Sequence, residues 1–114
     1  MTLIYKIVPE ELWREAERAG SFTGASIDLT DGFIHLSTAD QMRETAAKHF
    51  AGQTGLLLVA VDEASLGDAL RYEISRGGEP FPHLYAPLAL TSVIFVEPLP
   101  LGTDGLHVFP ERAA

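Results

Sequence analysis

Three pairs of polar residues interrupt otherwise apolar stretches of this 114-residue chain: His35 and Ser37 in "DGFIHLSTADQ", Arg71 and Glu73 in "LRYEI", and His83 and Tyr85 in "EPFPHLYAPL". Within each pair the spacing is i, i+2, which on a strand puts both side chains on one face. Imidazole exchanges protons near neutral pH, and a carboxylate beside it can orient or assist it. His35, Glu73 and His83 are therefore the candidate catalytic groups, with Ser37, Arg71 and Tyr85 as candidate ligand contacts. Arg71 beside Glu73 offers an anion clamp next to a hydrogen-bonding carboxylate. Pro82 and Pro87 flank His83 and Tyr85 and stiffen a segment that reads as a loop, lowering the entropy cost of holding two rings in place. If these segments meet in space, they make a site.

Each residue also has a plainer reading. A histidine on a strand is commonly a hydrogen-bonded structural residue, and Ser37 or Thr38 can cap a following helix. Arg71 and Glu73 can be a solvated ion pair, and His83 with Tyr85 an aromatic plug at the core's edge. A Ser37–His35 nucleophile pair lacks a third group to orient it. His35, His83 and Glu73 form a chemically sensible open metal set, but ligands scattered over three segments carry no spacing signature, so no metal is assigned. His49 and His107 have no polar companions in sequence and read as structural or surface residues. No GxGxxG, P-loop, HExxH or GxSxG motif occurs.

The elements that must position these groups follow from periodicity and punctuation. "LIYKIV" (3–8) reads as a strand, and Pro9 opens a helix that Gly20 stops, with Leu12, Trp13 and Ala16 on its buried stripe. "SFTGASIDLTD" (21–31) reads as a loop, "FIHLS" (33–37) as one strand, and "TADQMRETAAKHFAG" (38–52) as a helix with Met42, Ala46 and Phe50 inward. The continuous apolar run "GLLLVAVD" (55–62) predicts a central strand buried on both faces. "LRYEI" (70–74) and "LTSVIFVEP" (90–98) read as strands, "SRGGEPFP" (75–82) as a loop, and "GLHVFP" (105–110) as a short terminal strand. The expectation is an α+β fold, with two helices near the N-terminus packed on small, mainly antiparallel sheets, in a single domain spanning 1–114.

Composition narrows the function classes. An apolar fraction of 46% with 21% charged residues is that of an ordinary globular chain. Sixteen acidic against eight basic residues give a net charge of −8, which disfavours nucleic acid and anionic membranes as partners. Cysteine is absent, and the N-terminal apolar run is too short for a signal peptide, so a cytoplasmic protein is expected. No stretch approaches the roughly 20 apolar residues of a membrane span.

"IYKIV…W", then "GFIHLST", an apolar strand ending in Asp62, "RYE", and "FPHLYAPL" followed by a valine-rich strand ending at Pro98 together resemble the small bacterial family of unknown function DUF952. The resemblance runs in order over nearly the whole chain. That family is grouped by fold with ADP-ribosyltransferase-like proteins, which bind NAD in a cleft between two small sheets. The resemblance thus implies a split sheet, a nucleotide or NAD-type ligand, and His35 as the strand histidine that hydrogen-bonds a ribose hydroxyl. It also implies Tyr85 as a ring stacking on the base and Glu73 as the carboxylate stabilising oxocarbenium-like charge, a role for which Glu97 competes. An unambiguous His, Tyr and Glu on three strands is missing. Beside an NAD-using enzyme stand two alternatives: a non-catalytic small-molecule-binding or interaction module, and a metal-dependent hydrolase.

Overall fold

The computed structural model describes residues 1–113. A four-stranded antiparallel sheet forms its centre, in the order β4 (Ser37–Thr38), β1 (Leu3–Pro9), β5 (Leu56–Asp62) and β9 (Val93–Pro98). β1 and β5 pair over their full length, from Leu3 opposite Asp62 to Pro9 opposite Leu56. β9 flanks β5 on its far side. Alternation along β5 sends Leu57, Val59 and Val61 into one core cluster and Leu56, Leu58 and Ala60 into another. The apolar run therefore does what its composition predicts, filling a strand that is covered on both faces.

Each face has its own cover. On the first lie α1 (Glu10–Ala19), which buries Trp13 and Ala16, and a second sheet. Pro9 starts α1 and Gly20, at φ 91°, ends it by donating to the Ala16 carbonyl, as expected of this helix. On the other face lie α3 (Met42–His49), through Met42 and Ala46, and the C-terminal segment, through Leu99 and Ala113.

The second sheet has three strands in the order β3-β7-β6: β3 (Ile34–His35), β7 (Pro80–Leu84) and β6 (Leu70–Ile74). A two-stranded pair, β2 (Ser21–Phe22) with β8 (Leu88–Ala89), adjoins the first core cluster through Phe22 and Leu88. The mixed α+β class and the small antiparallel sheets are as expected. Among the described residues no helix is long and apolar enough to cross a membrane.

Four local expectations are corrected. "FIHLS" is not one strand: Ile34–His35 pairs with β7, whereas Ser37–Thr38 (β4) pairs with β1. The chain changes sheets at Leu36, whose N–H donates to the Pro82 carbonyl at 3.0 Å and whose side chain enters the core. The segment 80–84, expected to be loop on account of its prolines, is the middle strand of its sheet. Pro82 stands where the β3 ladder ends and contributes its carbonyl, and the Pro80 carbonyl accepts from Gln41 Nε2 at 2.8 Å. "GLHVFP" forms an isolated bridge between Leu101 and His107 rather than a strand.

The fourth correction adds a helix to the expected two. Residues of the presumed loop form α2 (Ser26–Asp31), closed by Gly32 at φ 87°. Asp28 lies at the third helical position, and its Oδ2 reaches back 2.8 Å to the Ala25 N–H, the carboxylate half of a capping box. Just upstream, Gly24 has φ 120°, and a Cβ there would lie 2.8 Å from the Asp28 Cβ. Gly24→Ala should therefore cost about 1–3 kcal/mol from the unfavourable backbone alone, read as a lowered urea midpoint with unchanged slope.

Candidate functional site

The site is organised by a buried carboxylate. Asp28, 2% exposed, accepts from Lys6 Nζ at 3.1 Å (Oδ1) and 2.9 Å (Oδ2). Its Oδ1 also meets the His35 N–H at 3.0 Å and His35 Nδ1 at 2.7 Å. Lys6 reaches this point because Ile4, Lys6 and Val8 share one face of β1, where the core takes Ile4 and Val8. Its third contact is the His35 carbonyl at 3.0 Å. One ion pair thus ties β1, α2 and β3 together at the seam between the two sheets.

Burial works to raise the Asp28 pKa. The His35 hydrogen bond, the Lys6 charge and bond, and the His35 N–H outweigh it and hold the carboxyl well below its ordinary range. Burial also draws the Lys6 ammonium below its ordinary value, against the pull of Asp28. Both groups remain satisfied by hydrogen bonds, without which a buried ion pair is costly.

His35 is enclosed by carboxylates. Beyond the Asp28 contact at Nδ1, its Nε2 lies 2.9 Å from Oδ2 of Asp31, the last residue of α2. The His35 side chain is 32% exposed and lines a cavity of about 510 Å³ with Lys6, Ile27, Asp31, Ser37 and Thr45. Ser37 Oγ is paired with Thr45 Oγ1 at 3.1 Å and caps no helix, contrary to expectation; Gln41 Oε1 instead takes the Thr38 N–H at 3.1 Å. His49 lies on the same cavity, a placement that its lack of polar sequence neighbours gave no sign of. His107 holds the Gln53 carbonyl through Nε2 at 2.8 Å.

The other candidates gather on the three-stranded sheet. His35 stands opposite His83, and His83 opposite Arg71, so these three form one row across three strands on one face. His83 Nδ1 meets Glu73 Oε1 at 2.7 Å, and the Tyr85 hydroxyl donates to the same oxygen at 2.6 Å. Hydrogen bonds from Tyr85 and His83 draw the Glu73 carboxyl below its ordinary value, and the bond to Glu73 pushes the Tyr85 phenol up. Phe33 stacks on His83 with ring centroids 4.0 Å apart and also touches His35 at 4.5 Å. The two imidazoles meet edge to face at 5.6 Å. Arg71 lies over the Tyr85 ring at 5.4 Å.

The two histidine motifs therefore converge, although the cavity takes His35 and Ser37 and not His83, Glu73 or Tyr85. Glu97 belongs to the other sheet and pairs with Arg112 at 2.6 Å. Among the described residues no cluster of three or more His, Asp or Glu is arranged to hold a metal ion. His35 and His83 each present Nδ1 to a different carboxylate, so the set of His35, His83 and Glu73 does not converge on one point. Asp28 and Asp31 were missed from sequence because they fall in a stretch rich in turn formers. The i, i+4 spacing of Asp31 and His35 and the lysine in an apolar strand were the available signals.

With this geometry in view, the chain can be compared with known proteins. Residues 7–96 match the family described as protein of unknown function DUF952. The chain belongs to that family. A crystal structure of protein CC0527 from Caulobacter crescentus is 47% identical, superposes with a TM-score of 0.93, and is covered over 98% of both chains. A solution NMR structure of CC0527 gives 51% identity and a TM-score of 0.84, over 93% of this chain and 91% of that one. No curated protein matches.

The Asp28 pair makes a prediction about stability. Asp28→Asn leaves Lys6 buried without its counter-ion and should cost about 3–5 kcal/mol, measured by urea denaturation at pH 7. Pairing holds the folded-state pKa beneath the unfolded value of 3.8, so the stability Asp28 contributes is complete above that pH. It is lost as pH falls from there through the folded-state pKa. In the Asn variant that part of the acid limb should flatten; an unchanged limb would show that Asp28 does not carry it.

Proposed function

We propose that the cavity beside His35 binds a ribose-containing small molecule of nucleotide or NAD type. The observation that carries this reading is the pairing of His35 Nε2 with the Asp31 carboxylate on the cavity wall. An imidazole N–H and a carboxylate oxygen side by side supply the donor and acceptor that two neighbouring sugar hydroxyls require. Asp28 fixes the imidazole from behind, so little rotational freedom is lost when a ligand engages it. The volume suits such a ligand, since small-molecule pockets span about 300–1,000 Å³. The resemblance read from the sequence implies the same role for His35.

ADP-ribosyl transfer is the second reading. It requires a carboxylate at the ribose, and Asp31 is the one on the cavity wall, while Glu73 is engaged by His83 and Tyr85 away from it. That placement of Glu73 favours binding over transfer.

Differential scanning fluorimetry with NAD, AMP and adenosine tests the site. A ligand at about 100 times its Kd stabilises the fold by roughly 2.7 kcal/mol, which corresponds to a rise of the order of 10 °C for a chain of this size. Asp31→Asn and His35→Ala should each remove the shift. No shift with any of the three compounds sinks the binding reading. Nicotinamide released from NAD, and lost in Asp31→Asn, would promote the transferase reading.

A further inference from the structure

β6 is the outer strand of its sheet: β7 pairs with one side of it, and among the described residues no strand pairs with the other. The phase of the β6–β7 ladder fixes what that open side presents. The Tyr85 N–H donates to the Ala69 carbonyl at 2.8 Å, and the Ser75 N–H to the Glu79 carbonyl at 3.0 Å, so both ends of the ladder are hydrogen-bonded pairs. Alternation between them makes bonded pairs of Arg71 with His83 and Glu73 with Phe81. Tyr72 and Ile74 fall in the non-bonded pairs, opposite Pro82 and Pro80, which have no N–H to give. The N–H and C=O of Tyr72 and Ile74 therefore point away from β7. The Leu70 carbonyl does the same, whereas its N–H turns back to the Gly67 carbonyl in the 3₁₀ turn of Glu63–Ala69 and ends the open edge there. Exposed edges are commonly blunted by lysine or proline, and "LRYEI" contains neither. On the core side of the sheet, Tyr72 and Ile74 are 44% and 70% exposed, in line with Leu70, which packs on the first core cluster.

We propose that β6 pairs with β6 of a second copy of this chain, antiparallel about a two-fold axis at Tyr72, joining the two small sheets into one. The hydrogen-bond phase admits this register. Tyr72 exchanges N–H and C=O bonds with the partner's Tyr72, and the Ile74 N–H donates to the partner's Leu70 carbonyl. Arg71 then stands opposite the partner's Glu73, and Glu73 opposite the partner's Arg71, in non-bonded pairs, where facing side chains come closest. On the other face Leu70 meets the partner's Ile74, and the tyrosines lie side by side, so the exposed apolar groups cover one another. The same phase also allows registers displaced by two residues. One sets Arg71 against the partner's Arg71 and the other Glu73 against the partner's Glu73, and like charges directly opposite are destabilising. Charge thus selects the register that also pairs the whole of β6. Glu73 is held through Oε1 by His83 and Tyr85, so each copy brings an arginine to the other's carboxylate cluster. A two-fold contact uses the same edge on both copies, so assembly stops at the dimer. The pairing concerns the sheet edge and does not rest on the ligand reading of the cavity.

A contact of one short strand with another belongs to the weak, transient class of interfaces, under about 1,200 Å². Sedimentation equilibrium of the full chain from about 10 μM to 1 mM, where weak complexes form, is therefore the test. The weight-average mass should climb from monomer towards dimer and no higher. Arg71→Glu and Glu73→Arg each set like charges opposite one another on both sides of the axis, and each should weaken dimerisation about tenfold or more. Mixed in equal amounts, the two variants regain opposite charges at every such pair and should associate as the wild type does. Tyr72→Pro removes an N–H that the β6–β7 ladder does not use, and should give a monomer that circular dichroism shows to be folded. Arg71→Glu and Tyr72→Pro decide the matter by themselves if Glu73→Arg, which loses the His83 contact, does not fold. A wild-type chain that stays monomeric at the highest concentration overturns the proposal. So does a dimer that survives both Arg71→Glu and Tyr72→Pro, or a mixture of the two folded charge variants that remains monomeric.

Discussion

A carboxylate buried to 2% exposure cannot persist without donors, and the shape of the site follows from how Asp28 acquires them. Its partners come from separate parts of the chain: an ammonium on β1, a backbone N–H at the start of its own helix, and a ring nitrogen and backbone N–H on β3. Removing any one would leave a desolvated charge short of a donor, so these elements are constrained together. A helix of six residues is too short to stand by itself in water. α2 is ordered because Asp28 anchors it to the sheets. The rigidity of His35 is the same fact seen from the ring.

His35 stands at a seam because the strand that carries it cannot remain in one sheet. At Leu36 the chain passes from pairing with β7 to pairing with β1. Sheets that part leave a wedge between them, and the cavity lined by Lys6, His35, Leu36 and Ser37 lies along that line. The seam is closed by polar contacts, Lys6 to the His35 carbonyl and Leu36 to the Pro82 carbonyl, with Gln41 to the Pro80 carbonyl nearby. Polar groups thus occupy a boundary that two apolar cores leave between them.

The sequence revealed some of this through periodicity and hid the rest behind contacts distant in the chain. β5 was legible because a strand covered on both faces must be apolar throughout, and α1 because proline and glycine mark its ends. The convergence of His35 and His83 could be asked about from residue types but not answered, since their pairing depends on a β3–β7 ladder between segments almost fifty residues apart. β7 was misread because proline argues against a central strand, and here a short partner strand leaves Pro82 at the end of a ladder. α2 was misread because glycine, serine and aspartate favour turns locally. What overrode that preference was an ion pair to Lys6, twenty-two residues away. Local propensity contains no such term.

A net charge of −8 describes the chain's outer field and says little about the row of His35, His83 and Arg71. Near that row, Lys6 and Arg71 face Asp28, Asp31 and Glu73, an excess of one carboxylate before the histidines are counted. Asp28 is neutralised by Lys6 inside the protein, whereas Asp31 is 40% exposed and Glu73 equally so. The charges that remain for a ligand to meet are therefore the two exposed carboxylates, each bound to an imidazole, and the Arg71 guanidinium. An acceptor replacing Asp31 at His35 leaves the Asp28 anchor intact, because the two carboxylates hold different ring nitrogens. The end of α2 and its beginning are thus bound to His35 independently, and exchange of partners at Nε2 does not disturb the contact that orients the ring.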